Sequence, residues 1–233
     1  MMAVPSVVKH EKFSGVYWVK EEGVEERLAT RNLTPGVRVY GEPLVKAGGV
    51  EYRVWNPYRS KLAAAILKKI KEVPISKGSK VLYLGAASGT TASHVSDIVW
   101  KEGRVYCVEF APRVARELLT LCEKRRNMIP IVADARMPWL YRTVVEEVDA
   151  IYCDVAQPEQ AGLLADNAEM FLKDGGGIML AIKARSVDVT KEPSEIYRRE
   201  INTLKSRGFE IVHVVHLEPF DKDHAMVVAQ FKP

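Results

Sequence analysis

Cysteine is scarce in this chain of 233 residues, which contains only Cys107, Cys122 and Cys153. None of them forms a C-x-x-C pair, and each lies within an apolar segment. Structural zinc sites need clustered cysteines at short spacing, so a metal site has no support in this pattern. We predict three buried, reduced thiols.

Long hydrophobic runs are also missing. No apolar stretch reaches the length that spans a membrane, and the first ten residues lack the apolar core of a signal peptide. These absences predict a cytoplasmic protein. Internal repeats and low-complexity segments are absent as well, and contents of 47% hydrophobic and 27% charged residues are ordinary for a globular chain. This length allows one large core, or a large domain with a small appendage.

The net charge is small, +4, but it is unevenly placed. Between residues 57 and 75 a single acid, Glu72, stands against five bases, so this stretch holds the whole excess. The five bases are Arg59, Lys61, Lys68, Lys69 and Lys71. A local basic patch on a neutral body suits a phosphate-rich partner. A solvated helix face gives the same pattern, and both interpretations stay open here.

Residues 1–55 differ in pattern from the remainder. Short alternating segments at 7–10, 16–19, 38–40 and 52–55 are separated by glycine-containing turns. This pattern predicts a small module of antiparallel β-hairpins. Residues 56–233 are predicted to form a second domain, which begins with an amphipathic helix after Ser60.

From residue 80 the predicted strands and helices alternate. Strands are predicted at 80–84, 104–108, 129–133, 148–153, 177–182, 210–217 and 225–231, and helices at 91–100, 112–126, 159–172 and 194–206, with a weaker helix near 140–147. Alternating units form a parallel sheet with helices on both faces. No helix separates the last two strands, so these must pair antiparallel. We therefore predict an α/β fold: a Rossmann-like, seven-stranded sheet of the methyltransferase type, mostly parallel with one antiparallel strand, plus the N-terminal β module.

A turn of small residues follows the first strand of this sheet. It reads GAASGTT at 85–91, and Glu109 closes the next strand eighteen residues later. Small residues let the backbone approach a ligand, and an acid at the next strand tip can accept hydrogen bonds from two ribose hydroxyls. The turn lacks the G-x-G-x-x-G pattern of dinucleotide sites, which argues against a nicotinamide dehydrogenase. The combination predicts a pocket for S-adenosylmethionine (SAM), although a tight turn in any α/β domain looks alike locally.

Residues at the other strand tips complete the predicted pocket. The carboxyl ends of parallel strands meet at one edge of the sheet, so these residues converge there. Phe110 can pack against adenine, while the Asp134 carboxylate and the Ala135 amide can hydrogen-bond its edge. The predicted cofactor-binding residues are Gly85, Ala86, Thr90, Thr91, Glu109, Phe110, Asp134, Ala135, Asp154, Val155, Ala156 and Gln157.

Four polar residues are candidates for substrate chemistry. Asp154 and Lys183 follow neighbouring strands, and His224 lies where the last, antiparallel strand returns to the same edge. Polar groups at buried strand tips cost free energy unless they are partnered. Lys61, on the helix before the first strand, is the fourth candidate, although many surface helices carry such a lysine. A structural ion pair explains Asp154 and Lys183 equally well.

Several blocks of the sequence carry a family resemblance: SKLAAAI at 60–66, GAASGTTASHV at 85–95, VYCVEFAP at 105–112, RELL at 116–119, DAR at 134–136, DVAQP at 154–158, IKARS at 182–186, LEPF at 217–220 and KDHAMVV at 222–228. In these blocks the sequence resembles the fibrillarin family, in the short form found in archaea. The resemblance covers nearly the whole of the second domain and, more loosely, the N-terminal module. The glycine- and arginine-rich N-terminal extension of eukaryotic members is missing.

The resemblance implies an RNA 2′-O-methyltransferase that uses SAM and acts on ribosomal and transfer RNA. Family members work within box C/D ribonucleoprotein particles, in which a guide RNA selects the target nucleotide by base pairing. The implied partners are guide RNA, target RNA, a Nop-domain scaffold protein and a kink-turn-binding ribosomal-type protein.

The resemblance also makes Lys61, Asp154, Lys183 and His224 a catalytic tetrad. In this interpretation Lys183 takes or holds the proton of the 2′-hydroxyl and Asp154 orients it. His224 is the alternative proton acceptor, because an imidazole titrates near neutral pH. No metal ion is needed for this step.

Two other functions stay open on the sequence. One is a non-catalytic ribonucleoprotein subunit, which the intact Asp154, Lys183 and His224 argue against. The other is a SAM-dependent enzyme that methylates a protein, for example a glutamine side chain. Methyl transfer to RNA compared with protein would separate these functions.

Overall fold

The computed structural model describes residues 5–232, and the first part of this range forms an antiparallel sheet. Its five strands lie in the order β1-β2-β3-β5-β4, and all neighbours pair antiparallel. They are β1 (Ser6–Lys9), β2 (Val16–Glu21), β3 (Val24–Arg31), β4 (Leu44–Ala47) and β5 (Val50–Val54). The predicted β-hairpin module is therefore present. The domain division after residue 55 stays a prediction.

One strand predicted in this module is wrong. Residues 38–40 bend instead, because the amides of Val39 and Tyr40 donate to the Glu42 carboxylate, at 3.0 and 2.8 Å. The sequence pattern did not predict β3 or β4. The first half of β3 is charged and exposed, so the segment lacks the alternation of apolar and polar residues that predicts a strand.

The second sheet has seven strands in the order β11-β12-β10-β9-β6-β7-β8. Strand β12 runs antiparallel to both of its neighbours, and the remaining pairs are parallel, which confirms the predicted fold class. The elements of this part are α1 (Lys61–Leu67), β6 (Lys80–Leu84), α2 (Thr90–Val99), β7 (Arg104–Glu109), α3 (Pro112–Lys124), β8 (Met128–Val132), β9 (Val148–Cys153), α4 (Gln160–Phe171), β10 (Leu172–Lys183), α5 (Ala184–Val187), α6 (Pro193–Ser206), β11 (Phe209–His216) and β12 (His224–Phe231).

The helix predicted at 140–147 is wrong. A single 3-10 turn, Pro138–Tyr141, occupies its start, and the Tyr141 carbonyl accepts from the amides of Val144 and Val145 at 3.0 and 3.1 Å. The Glu146 carboxylate then bonds to Tyr106 and Arg104, which directs the chain into β9. These contacts outweigh the weak helical preference of the segment.

Apolar side chains cover both faces of the seven-stranded sheet. On one face, residues of α1, α2 and α3 form a core together with Val16, Leu28 and Trp55 of the N-terminal region. On the other face, α4 and α6 pack over the sheet. The N-terminal sheet therefore contributes to the same core as the helices that flank the strand tips.

A buried ion network joins the two sheets, and we define it as Glu42, Arg53, Asp97 and Arg125. Arg53 on β5 contacts Glu42 at 2.6 Å and Asp97 at 2.8 Å, and Arg125 contacts the other oxygen of Asp97 at 2.6 Å. All four side chains have 0% exposure. Such charges are stable in the interior only because each has an opposite partner.

His94 of α2 lies beside this network and is fully buried. Its ring stacks on Trp55 with centroids 4.7 Å apart, Nδ1 lies 2.7 Å from the Thr30 hydroxyl, and Nε2 lies 2.8 Å from the Tyr40 hydroxyl. Burial, and then the nearby cations of Arg53 and Arg125, lower the pKa of His94 well below its usual value. The imidazole is therefore neutral in the folded chain.

Two further findings bear on the composition. Across residues 5–232 no helix combines the length and apolarity needed to cross a membrane. Cys107, Cys122 and Cys153 are buried and free.

Candidate active site

The turn after β6 is held close to its neighbours. Gly85 has φ +80°, and a Cβ at this position would lie 2.8 Å from the Asp154 carbonyl oxygen. The amides of Gly85 and Ala86 both donate to the Val108 carbonyl at 3.0 Å. Gly89, with φ +91°, is the N-cap of α2, and a Cβ there would overlap a methyl group of Leu121. Small residues are therefore required by the close packing of this turn.

Glu109 at the tip of β7 faces this turn. One carboxylate oxygen accepts from the Ala87 amide at 2.9 Å and the other from the Ala111 amide at 2.8 Å. Each oxygen keeps a further lone pair for another donor. Phe110, the next residue, lines the same edge and is 60% exposed, so its ring is open to a ligand. An acceptor and an aromatic face thus stand side by side.

The next strand tip brings Asp134 and Ala135. Asp134 is engaged by Arg136, whose Nε and backbone amide lie 3.0 and 2.9 Å from the carboxylate oxygens. Hydrogen bonds from Arg136 lower the pKa of Asp134, so this acid stays ionised. The Ala135 amide makes no hydrogen bond with any part of residues 5–232 and can donate to a ligand.

Gln160 connects the carboxyl ends of β9 and β10 through two side-chain hydrogen bonds. Its buried side chain accepts from the Lys183 amide at 3.0 Å and donates to the Val155 carbonyl at 3.3 Å. The Asp154 amide donates to the Leu84 carbonyl at 2.9 Å, which fixes the start of the segment after β9. The sequence interpretation did not select Gln160, because it lies on the following helix rather than at a strand end.

These tips enclose a cavity of about 270 Å³. Nine of the predicted cofactor residues line it: Gly85, Glu109, Phe110, Asp134, Ala135, Asp154, Val155, Ala156 and Gln157. Ala87 and Lys183 line it as well. Ala86, Thr90 and Thr91 do not. Ala86 and Thr91 are buried behind the turn, where the Thr91 hydroxyl donates to Ser60, the residue that caps α1, at 3.0 Å.

The four predicted substrate residues lie together beside this cavity. Lys183 Nζ lies 2.8 Å from the Asp154 carbonyl oxygen and 2.9 Å from its Oδ1. Lys61 Nζ lies 3.3 Å from each carboxylate oxygen of Asp154. His224 is the register partner of Lys183 across β10 and β12. Asp154 therefore holds two ammonium groups at the edge of the pocket.

Asp221 extends this group and was not predicted. Its Oδ2 lies 3.4 Å from Lys61 Nζ, and its Oδ1 lies 2.9 Å from His224 Nδ1. Positive and negative groups thus alternate along Lys183, Asp154, Lys61 and Asp221, and the His224 imidazole lies at the end of this series. The spacing of Asp221 three residues before His224 was the available signal, but a loop acid rarely attracts attention without a structure.

Charge interactions stabilise the ionised forms in this series. Burial opposes the charge on Lys61, but Asp154 and Asp221 outweigh it and raise the pKa of Lys61. Burial likewise opposes the charge on Asp221, but His224 and Lys61 lower its pKa. The site therefore contains fixed, ionised groups at neutral pH.

A larger cavity, of about 560 Å³, lies at the opposite ends of the strands. It is lined by Lys101, Arg104, Lys124, Arg125 and Arg126, and none of its described lining residues is acidic. It therefore offers no carboxylate to accept from ribose hydroxyls. The smaller cavity at the strand tips is the better site for a nucleoside.

Comparison with known proteins gives consistent results. A model of the fibrillarin family matches residues 7–233. A fibrillarin-like rRNA/tRNA 2′-O-methyltransferase of Staphylothermus marinus is 62% identical over 232 residues, which is 100% of this chain and 99% of the relative. The protein of the same name from Aeropyrum pernix is 59% identical over 98% of both chains.

Solved structures agree with these relatives. Aeropyrum pernix fibrillarin, crystallised with natively bound SAM, has a TM-score of 0.92 at 59% identity and covers 98% of this chain and 100% of its own. A chain of a fibrillarin/Nop5p complex has a TM-score of 0.83 at 40% identity, covering 96% and 100%. A SAM-dependent methyltransferase of Aquifex aeolicus, at 15% identity and TM-score 0.52, shares the fold alone. The family model and these full-length matches show that the chain belongs to the fibrillarin family.

Proposed function

We propose that this chain is a SAM-dependent RNA methyltransferase that methylates ribose 2′-hydroxyls of ribosomal and transfer RNA in guide-directed box C/D particles. The proposal rests on one observation: the cofactor cavity and a group of charged residues meet at the same edge of the seven-stranded sheet. The nucleoside-type cavity with Glu109 and Phe110 meets the alternating charges of Lys183, Asp154 and Lys61. The names of the full-length relatives support the same reaction.

The residues of the cavity suit SAM. Glu109 has lone pairs for the ribose hydroxyls, Phe110 offers an exposed ring to adenine, and the free Ala135 amide can donate to an adenine nitrogen. Gly85 and Asp154 both line the cavity, so their backbone can contact the amino-acid end. When bound, SAM supplies an electrophilic methyl group, which the ribose oxygen attacks as the carbon–sulfur bond breaks and its electrons stay on sulfur.

The charged residues suit a ribose oxygen that gains negative charge. Lys183 and Lys61 are oriented by Asp154, so their charges are fixed before substrate arrives. Preorganised cations stabilise a developing oxyanion without the cost of reorganising solvent. His224, opposite Lys183 in the sheet, completes the proposed tetrad. Asp154 also borders the cofactor cavity, so it connects the two halves of the site.

The basic stretch at α1 suits the RNA backbone. Lys61 begins α1 at the tetrad, and Lys68, Lys69 and Lys71 are exposed at its other end. Seven residues of helix extend about 10 Å, so these cations lead away from the site along one element. We propose that they contact phosphates next to the target nucleotide.

The particle itself is part of the proposal. A fibrillarin relative was crystallised with Nop5p, which supports a Nop-domain scaffold as partner. The small net charge of +4 supports weak RNA binding by the chain alone. Guide RNA and a kink-turn-binding protein would then deliver the target ribose and raise its effective concentration at the tetrad.

The test is methyl transfer in a reconstituted particle with labelled SAM. Two target RNAs differ only at the guided nucleotide, which is ribose in one and 2′-deoxyribose in the other. The ribose target alone should be labelled, and a guide shifted by one nucleotide should move the label by one nucleotide. Label on the deoxy target or on protein would contradict the proposal, and SAM binding without transfer would identify a non-catalytic subunit.

A further inference from the structure

Asp221 contacts two members of the tetrad from the loop between β11 and β12. One carboxylate oxygen faces Lys61 Nζ at 3.4 Å, and the other faces His224 Nδ1 at 2.9 Å. The side chain is about one-third exposed, at 32%, and it lies outside the lining of the cofactor cavity. Its effect on the reaction must therefore pass through Lys61 and His224.

The contacts of His224 determine which ring nitrogen holds the proton. Nδ1 lies 2.6 Å from the Lys222 carbonyl oxygen, in addition to the Asp221 carboxylate. A carbonyl oxygen and a carboxylate can only accept, so Nδ1 must be the donor. In the neutral ring the lone pair then lies on Nε2. This nitrogen makes no hydrogen bond with any of residues 5–232.

The other groups of the tetrad are less suited to accept a proton. Lys183 directs its ammonium group at two acceptors of Asp154, and Lys61 lies between two carboxylates. Asp154 and Asp221 raise the pKa of Lys61, and a charged lysine has no lone pair to offer. Nε2 of His224 is the basic atom without a partner at this end of the sheet.

We propose that Asp221 is a positioning residue that fixes His224 with its proton on Nδ1, so that Nε2 accepts the proton of the target 2′-hydroxyl. This inference rests on the proposed function. The O–H bond of the ribose breaks, its proton forms an N–H bond on Nε2, and its electron pair stays on the oxygen that attacks the methyl group. The imidazolium that forms is stabilised by Asp221, while Lys61 and Lys183 stay charged throughout.

The charged groups around His224 determine in which direction the pH profile of the rate shifts when Asp221 is removed. Lys183 lies opposite on β10, and Lys61 acts from α1 behind Asp221. Asp223 pairs with Arg185 at 3.2 Å, and Glu218 accepts from the Asp223 amide. Asp221 is therefore the carboxylate that directly favours a proton on this ring. Its removal should move the acid limb of the rate profile to lower pH.

The test compares Asp221→Asn with Asp223→Asn, a matched change two residues away, in single-turnover methylation by the assembled particle. Asp221→Asn should lower the plateau rate by about 10- to 100-fold, less than the roughly 10²- to 10⁴-fold that a base itself contributes, because His224 stays in place. It should also move the acid limb to lower pH, because the carboxylate that favours the imidazolium is lost. SAM affinity should not change. Asp221→Glu should restore part of the rate, and Asp223→Asn should behave like the wild type.

Two further measurements separate this role from a structural one. Adding Asp221→Asn to His224→Ala should slow the reaction much less than Asp221→Asn slows the wild type, because Asp221 acts mainly through His224. In the ¹⁵N-labelled chain without cofactor, NMR should show a protonated Nδ1 and an unprotonated Nε2 for His224. Additive losses, an unmoved acid limb or a proton on Nε2 would overturn the inference. A wild-type particle that fails to methylate ribose would refute the proposed function instead, independently of the NMR result.

Discussion

Lys183→Met removes one of the two fixed cations while it keeps most of the side-chain volume. The ammonium group lies 2.8 and 2.9 Å from two oxygens of Asp154, so its position is set before RNA binds. A unit charge about 4 Å from a developing oxyanion contributes roughly 4 kcal/mol at an effective dielectric constant near 20. This corresponds to about 10³ in rate. Because Lys61 stays in place, we expect a loss of about 10²- to 10³-fold.

The assay is single-turnover methyl transfer in the assembled particle, with SAM binding measured separately by calorimetry. Lys173→Met is the matched control, because Lys173 lies on the same strand, pairs with Asp149 at 2.6 Å and does not line the cavity. Its rate should stay at the wild-type value. The acid limb of the Lys183→Met profile should not move to lower pH, since Asp221 and His224 are retained. Near-native turnover would refute the electrostatic role, and a matching loss of SAM affinity would assign Lys183 to the cofactor.

Three further outcomes are expected. Glu109→Gln keeps an oxygen for the backbone amides but removes the charge, so SAM binding measured by calorimetry should weaken by roughly 1–3 kcal/mol; an unchanged dissociation constant would remove Glu109 from the pocket. Arg53→Met leaves buried acids without their guanidinium and should lower the free energy of unfolding, measured in urea, by about 3–5 kcal/mol. Arg104→Met, at an exposed ion pair, should lower it by about 1 kcal/mol or less. Equal losses would contradict the stabilising role of the buried ion network. Because the folded chain holds the pKa of His94 well below 6.5, the unfolded chain binds more protons as the pH falls through 6.5. The free energy of unfolding should then fall by about 1.4 kcal/mol per pH unit, and His94→Gln should lessen that slope; an equal slope in both proteins would show that His94 is not buried in its neutral form.

The sheet was predictable because its strands are continuous apolar runs. The predicted bounds of β6 and β9 match the structure, and those of β7, β8, β11 and β12 differ by no more than one residue at either end. Strand β10 begins at Leu172, five residues before its predicted start. The hairpin of β11 and β12 followed from the lack of a helix between them. The two wrong predictions are the strand at 38–40 and the helix at 140–147. In both segments hydrogen bonds to a carboxylate, of Glu42 or of Glu146, help to determine the local structure.

The candidate site was predictable to the extent that strand tips define it. Placing Glu109, Asp134, Asp154 and Lys183 at one edge needs only the alternation of strands and helices. Asp221 could not be found this way, because its role depends on a loop conformation that brings it between two other charges. The roles of these residues in catalysis stay predictions.

The buried ion network could not be predicted either. Arg53, Asp97 and Arg125 lie in separate parts of the sequence, and charged residues are ordinarily assigned to the surface. Only the folded chain shows that each of them has an opposite charge within hydrogen-bond distance in the interior.

That network limits how family members can be recombined. Asp97 lies on α2, the helix that starts at the pocket turn, and its partner Arg53 lies on β5 of the N-terminal sheet. A chimaera that takes residues 5–55 from a relative without Glu42 and Arg53 would bury Asp97 and Arg125 as unmatched charges, unless all four network residues were exchanged together. The four network residues must therefore be exchanged together for such a chimaera to fold. A mismatch would displace α2 and, with it, the pocket turn that precedes this helix.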